Sequence, residues 1–389
     1  MSTNPIVLAR GHTEAVTTLS LSDHLLASGS ADGNTYFWSL DQSPCPVLQA
    51  PRYGHCSSIK FSVKQENILY GAYSQEIISW DIRNLRQLFD IWKVNEGRVN
   101  SIDVSETEDR LASADDTGTV QIIDLSNGSL VRTLKKHDNS VSSVKFRPGR
   151  PWQLVSGGVD CKVVVSDWRG SGLAVNIFEL SEIADYSGSD SNNVEADYSY
   201  IDSIDDESLN VLLRSNSTMN FDGGNTRTND RIRDRFAEQI ARLFLIPTPV
   251  SFSRDRQRRN ISVRRPCINS VSCSMSGDIV AASLDSKTIE LFSGYGKKLM
   301  HYESLYGHDG RASTVHFINE TLLVSGSCDE NIFVWNIESE AYGQATYHGE
   351  EVSAFEGRRL DRLIVADSSP VIKVSCTIYI KVVIVLHFV

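Results

Sequence analysis

The chain has 389 residues, 41% apolar, 22% charged and 8% aromatic, enough to bury a sizeable core. This composition excludes a fibrous protein, a disulfide-stapled miniprotein and disorder along the full length. With 38 Lys and Arg against 49 Asp and Glu, the net charge is −11, which argues against a surface devoted to nucleic acid.

The first residues, MSTNPIVLARGH, lack the apolar core of a signal peptide. Seven cysteines (Cys45, Cys56, Cys161, Cys267, Cys273, Cys328 and Cys376) are scattered with no C-x-x-C pair. That spacing fits a reducing compartment better than a disulfide framework or a zinc site. The expectation is a soluble intracellular protein, cytoplasmic, nuclear or both, without a membrane segment.

Taken in chain order, one block recurs. LASGSADGNTYFW (Leu26–Trp38) returns loosely as ILYGAYSQEIISW ending at Trp80, then as LASADDTGTVQII (Leu111–Ile123) and LVSGGVDCKVVVS (Leu154–Ser166). After a long interval come AASLDSKTIELF, ending near Leu291, LVSGSCDENIFVW (Leu323–Trp335) and a weak copy ending at Val374. Measured at 38, 80, 123, 166, 291, 335 and 374, the steps are 42, 43, 43, 125, 44 and 39 residues. Each unit reads as short strands separated by Gly, Asp, Asn and Ser, preceded by an apolar-alternating run such as Val16-Thr17-Thr18-Leu19, Val141-Ser142-Ser143-Val144 or Val271-Ser272-Cys273. Short strands, four to a repeat at this period, are the signature of propeller blades. The fold expected is an all-β, seven-bladed propeller. Ile6-Val7-Leu8-Ala9 is expected to close the last blade beside Leu363–Ala366 and Val371–Val374, because closure removes exposed sheet edges.

The expected boundaries are blades one to four over 1–169, an insertion over 170–265, blades five to seven over 266–374 and an apolar tail over 375–389. The insertion opens with ten acidic residues and no Lys or Arg over 170–213, a disorder candidate. Over 227–265 it carries eleven Arg against four acids. Within that half, 230–244 predicts a short amphipathic helix with Ile232, Phe236, Ile240 and Leu243/Phe244 on one face, ended by Pro247 and Pro249. Arg254, Arg256, Arg258, Arg259, Arg264 and Arg265 form a candidate basic tract for nuclear import or phosphate. The tail IYIKVVIVLHFV is too short to span a bilayer.

Gly11-His12, Gly54-His55 and Gly307-His308 open repeats, Lys136-His137 is a variant, and Trp80-Asp81 closes one. These units resemble WD repeats. The resemblance implies a hydrogen-bonded chain of His, Ser/Thr, turn Asp and Trp within a blade, matched by His12, Ser28, Asp32, Trp38 and by His308, Ser325, Asp329, Trp335. A buried Asp needs donors and a buried indole N–H needs an acceptor, so such a chain satisfies itself. Blade three departs, with Asn95-Glu96 for Gly-His and Thr117 at the turn Asp. Blade four has Ser166 for Trp, and blade five lacks both His and Trp.

No Walker loop, H-E-x-x-H, nucleophile elbow or paired-cysteine site is present, so neither catalysis nor a cofactor or metal is expected. The informative local feature is Trp80-Asp81-Ile82-Arg83, with Ser166-Asp167-Trp168-Arg169 as an echo. It is similar to the W-D-x-R of WD-repeat substrate receptors of cullin-RING ubiquitin ligases. That likeness implies Asp81 and Arg83, and secondarily Asp167 and Arg169, as contacts for the damage-specific DNA-binding adaptor of a cullin four ligase, a planar guanidinium suiting backbone and carboxylate acceptors. The expected function is a monomeric, non-enzymatic scaffold acting as such a receptor. The alternative is a scaffold in an unrelated nuclear or ribonucleoprotein assembly, with nucleic acid held only by the Arg-rich insertion.

Overall fold

The computed structural model describes residues 6–8, 11–22, 25–39, 48–50, 54–65, 67–84, 88–106, 110–169, 174–180, 266–294, 299–338, 341–346, 351–357, 363–375 and 381–383. The chain divides into one compact unit of Met1–Asp185 with Pro249–Val389 and a second of Tyr186–Thr248. The second unit lies outside the described residues, as do the expected helix over 230–244 and the tract from Arg254 to Arg265.

The first unit is an all-β propeller, with a single short 3-10 turn, Ile82–Asn84, as the helical element among the described residues. Its described strands form seven antiparallel sheets. The first consists of Val16–Leu21, Leu26–Ser30, Thr35–Trp38 and Leu48–Ala50, paired in that order. The same up-and-down order repeats over 56–92, 99–135, 141–179, 268–305 and 312–346. The last sheet takes Val352–Glu356, Leu363–Asp367 and Ile372–Ser375, and Ile6–Leu8 completes it from the other end of the chain, with Ile6 opposite Val374 and Leu8 opposite Ile372.

A common device sits at the start of every innermost strand. The run apolar–polar–polar–apolar in six of these strands, and Val352-Ser353-Ala354-Phe355 in the seventh, breaks strict alternation, and the register slips there in each sheet, leaving Thr17, Ser57, Asn100, Ser142, Asn269, Ser313 and Ser353 unpaired as bulge residues. A bulge redirects its side chain. Here each donates to the backbone carbonyl opening the next sheet: Thr17 to Cys56 at 2.7 Å, Ser57 to Val99 at 2.5 Å and Asn100 to Val141 at 3.0 Å. Ser142 to Ile268 at 2.5 Å, Asn269 to Ala312 at 2.8 Å and Ser313 to Val352 at 2.5 Å continue the series. Ser353 to Val16 at 2.6 Å returns it to its start. The expectation for sheet five was out of step: its inner strand opens at Ile268-Asn269-Ser270-Val271 and not at Val271, and Phe292, opposite Val280, holds the position expected near Leu291. A one-residue slip exchanges the two faces of a strand, so burial decides the register.

The core is distributed between the sheets. Ala27 and Phe37 of the first pack on Ile59, Leu69 and Trp80 of the second, and Leu8, Val16, Leu19 and Trp38 pack on Ile364, Ala366 and Ile372 at the closure. Each such large side chain contributes about 1.5–3 kcal/mol by leaving water.

Two expected boundaries move. Ala174–Glu179 is the outer strand of the fourth sheet, although the insertion was expected to begin at 170. Phe178 packs at 4.6 Å on Phe292 and Leu180 is buried, so apolar contact outweighs the acidic composition that begins at Glu179. In the tail expected to lie outside the repeats, Ser375 ends a strand and Lys381–Val383 adds a fifth strand against Ala341–Thr346.

The seam from which the insertion departs is fastened independently of it. The Leu180 N–H donates to Cys161 O at 2.9 Å and the Cys267 thiol to Val159 O at 3.5 Å, so both ends of the insertion stand on one turn. Arg147, fully buried, donates from the fourth sheet to Gly277 O at 2.5 Å and Gly294 O at 2.9 Å of the fifth. Replacing 181–265 by a short Gly/Ser linker is therefore expected to preserve the β circular dichroism spectrum and a single cooperative unfolding transition. Loss of cooperativity would show that the seam depends on the insertion.

Candidate functional site

Within the blades the polar chains are built as donor–acceptor relays. In the sixth sheet, Trp335 Nε1–H donates to Ser325 Oγ at 2.9 Å, Ser325 lies 2.8 Å from His308 Nε2, and His308 Nδ1 lies 3.0 Å from Asp329 Oδ2. Because the carboxylate accepts, the proton sits on Nδ1 and Nε2 accepts from the serine. Burial alone would raise the Asp329 carboxyl, but His308 and the N–H groups of Asn331 and Asp309 outweigh it and hold the group at about 2.

The first sheet has the same residues and a looser link. Trp38 Nε1 and His12 Nε2 each lie 2.7 Å from Ser28 Oγ, while His12 Nδ1 is 3.4 Å from Asp32. Asp32 takes the N–H groups of Thr13 and Asn34 at 2.8 Å each. Burial lowers the pKa of His12, keeping it neutral at neutral pH. A Cβ at Gly11 would fall 2.7 Å from Trp38 Cη2, and Gly307 is pressed on Trp335 in the same way, which explains the Gly-His pairing. Where Ser166 replaces the tryptophan, Lys136 stands in place of glycine. In that fourth sheet His137 still joins Asp160 at 2.9 Å and Ser156 at 2.8 Å.

The third sheet holds a relay that sequence reading missed. Asn95 Nδ2 donates to Asp115 at 3.0 Å and Ser113 donates to Asn95 Oδ1 at 2.9 Å, so the amide does the work of an imidazole. Thr117 occupies the aligned turn position, but the acid is Asp115, two residues earlier, accepting from Thr117 and Thr119. Asp367 caps the seventh sheet's turn from the equivalent place. His55 forms no such chain: Gly71 stands where the serine would be, and Arg98 Nη2 approaches the half-exposed ring at 2.9 Å.

Two surfaces offer binding chemistry. The first is the mouth at the far ends of the inner strands, a cavity of about 350 Å3. Lys145 faces Asp103 at 3.3 Å and Lys60 faces Glu356 at 3.8 Å. His316 joins Gly357 O at 3.0 Å, and burial lowers its pKa. Burial pushes the neighbouring Cys273 thiol up to about 12, which leaves it a poor nucleophile. Both lysines are thus paired with carboxylates, an arrangement suited to polar recognition.

The second surface carries the W-D-x-R residues. Antiparallel order places the ends of the third strands on the same side of the propeller as the ends of the inner strands. Asp81 ends one third strand and caps the next turn, accepting Arg83 N–H at 3.0 Å, Nε at 2.9 Å and Nη2 at 2.6 Å. The Arg83 side chain is 68% exposed. Asp124, Asp167 and Asn336 cap the N–H groups of Ser126, Arg169 and Glu338 in the same way, so this position has a structural task in each of these sheets. Arg169 stacks over Trp152 at 4.3 Å. Among the described residues no cluster of three His, Cys, Asp or Glu is arranged for a metal, and no helix is long and apolar enough to cross a membrane.

Antiparallel four-stranded sheets pinned by His–Ser–Asp–Trp relays define a WD-repeat propeller. Residues 4–39, 128–167 and 299–336 match the family described as WD domain, G-beta repeat, so over these segments the chain is similar to the WD-repeat propellers. It is 28% identical over 169 residues to WD repeat-containing protein 53 homolog of Dictyostelium discoideum, covering 41% of this chain and 45% of that protein. It is 24% identical over 140 residues to WD repeat-containing protein 55 of Arabidopsis thaliana, covering 35% and 39%. Against Periodic tryptophan protein 1 homolog of Drosophila melanogaster it is 28% identical over 171 residues, covering 41% and 37%. The chain thus spans less than half the length of these relatives.

Asp329→Asn is expected to cost about 1–3 kcal/mol at neutral pH, the range for disrupting a buried hydrogen-bonded group. The carboxylate's contribution is complete above its unfolded pKa of 3.8 and is lost as pH falls towards about 2. Urea unfolding of both proteins at several pH values should show the gap closing across that window. A gap independent of pH would mean the variant acts through packing.

Proposed function

We propose that the protein is a non-enzymatic interaction scaffold whose seven sheets act as blades of one closed propeller, and that it serves as a substrate receptor on the damage-specific DNA-binding adaptor of a cullin four RING ubiquitin ligase. The seven seam hydrogen bonds and the pairing of Ile6–Leu8 with Ile372–Ser375 support the blade count. The observation that carries the receptor reading is the exposed Asp81–Arg83 pair at the end of a third strand. Asp81 fixes the turn and presents the guanidinium edge-on, so that an adaptor carbonyl or carboxylate meets an oriented donor. Asp167 and Arg169 present a second such turn on the same side, with the guanidinium laid on Trp152. Substrate would then occupy the opposite mouth or the insertion.

Arg83→Ala removes a surface side chain and no core volume, so its melting temperature should match wild type while adaptor recovery in affinity capture falls at least tenfold. Equal recovery would end the docking assignment. The alternative, phosphate binding by the Arg-rich tract, predicts RNA or DNA capture that collapses as salt rises, since each neutralised phosphate releases counterions.

A further inference from the structure

The turn joining Arg150–Gly158 to Lys162–Asp167 carries a buried thiol at its left-handed position, Cys161, with φ of 67°. The equivalent turns place Gly33 and Gly118 there, or the exposed Lys287 and Glu330. Cys161 is covered because the chain folds back over it before entering the insertion, Leu180 N–H bonding to its carbonyl. Where the chain re-enters the propeller, Cys267 sits at the start of the fifth sheet. The two thiols converge on one atom: Cys161 Sγ lies 3.7 Å and Cys267 Sγ 3.5 Å from Val159 O. No other part of the relay or docking chemistry uses them.

We propose that Cys161 and Cys267 are a redox pair whose disulfide fastens the fourth sheet to the fifth at the base of the insertion. The oxidant is a small disulfide such as oxidised glutathione. The thiolate of the more exposed Cys267 attacks one of its sulfurs and releases one glutathione thiolate, forming a mixed disulfide. The Cys161 thiolate then attacks the Cys267 sulfur and releases the second. Two protein thiols give up two electrons and two protons, and one glutathione disulfide becomes two glutathione thiols. In the reduced protein the seam is held by its hydrogen bonds and apolar packing; in the oxidised protein a covalent bond spans it as well.

The other described cysteines serve as internal standards. Cys56 is buried and Cys273 half-buried, both with thiols pushed up to about 12, and they do not compete. Cys328 is exposed. Burial beside Asp285 and Asp160 also raises the Cys267 pKa, so exchange is slow at neutral pH and is best driven at about pH 8.5.

The test incubates the full chain with oxidised glutathione, blocks remaining thiols with N-ethylmaleimide and maps non-reduced peptides by mass spectrometry. The expected product is a peptide pair joined through Cys161 and Cys267, reversed by dithiothreitol, with Cys328 carrying glutathione alone. Cys161→Gly, which suits the left-handed turn, should leave Cys267 as the mixed disulfide. Cys267→Ser serves as the complementary variant should the first fail to fold, and should yield no linked pair. Wild-type protein in which Cys267 stops at the mixed disulfide, or stays alkylatable while Cys328 is modified, overturns the pairing.

Discussion

The propeller depends on one hydrogen bond made seven times. The second residue of each inner strand sits on a bulge, is excluded from its own ladder, and gives its hydroxyl or amide to the carbonyl that opens the next sheet. A single bond of this kind is worth only about 0.5–1.5 kcal/mol net. Its importance lies in direction. It aligns each inner strand to its neighbour at the axis. The last bond, from Ser353 to Val16, joins residues at opposite ends of the chain.

Outward from the axis, the His–Ser–Asp–Trp relays vary much more than the seams. One sheet uses the full set at close range, another loosens the His–Asp link, a third replaces imidazole with the Asn95 amide, and a fourth drops the tryptophan. The constraint common to all is that the acid in the turn must be satisfied, and threonine, asparagine and backbone N–H groups do this as well as histidine. The relay is therefore a local solution to burying a turn, and a blade survives its loss.

Binding chemistry falls where these constraints relax. The axial mouth keeps paired charges, and the third-strand ends keep an arginine already oriented by the aspartate that caps the turn. At the fourth seam the chain leaves and returns on a single turn, with Arg147 and the Ser142 bond holding the sheets together and two thiols meeting at Val159. An insertion at such a place adds surface without interrupting the ladder of sheets.

By itself the sequence determined the repeat, its strand content and the residues of two relays, because those depend on residue type at short, regular spacing. Gly-His before a Trp-ended block is legible for a physical reason: the glycine lies under the indole. Tertiary structure decided what sits between units. The fourth sheet's outer strand was hidden at the head of an acidic run, since Phe178 is recognisable as core only once Phe292 is placed against it. The register of the fifth sheet, the Asn95–Asp115 relay and the seam bonds were likewise invisible. Each joins residues whose partner is fixed by the closing of sheets upon one another, and no local spacing records that closure.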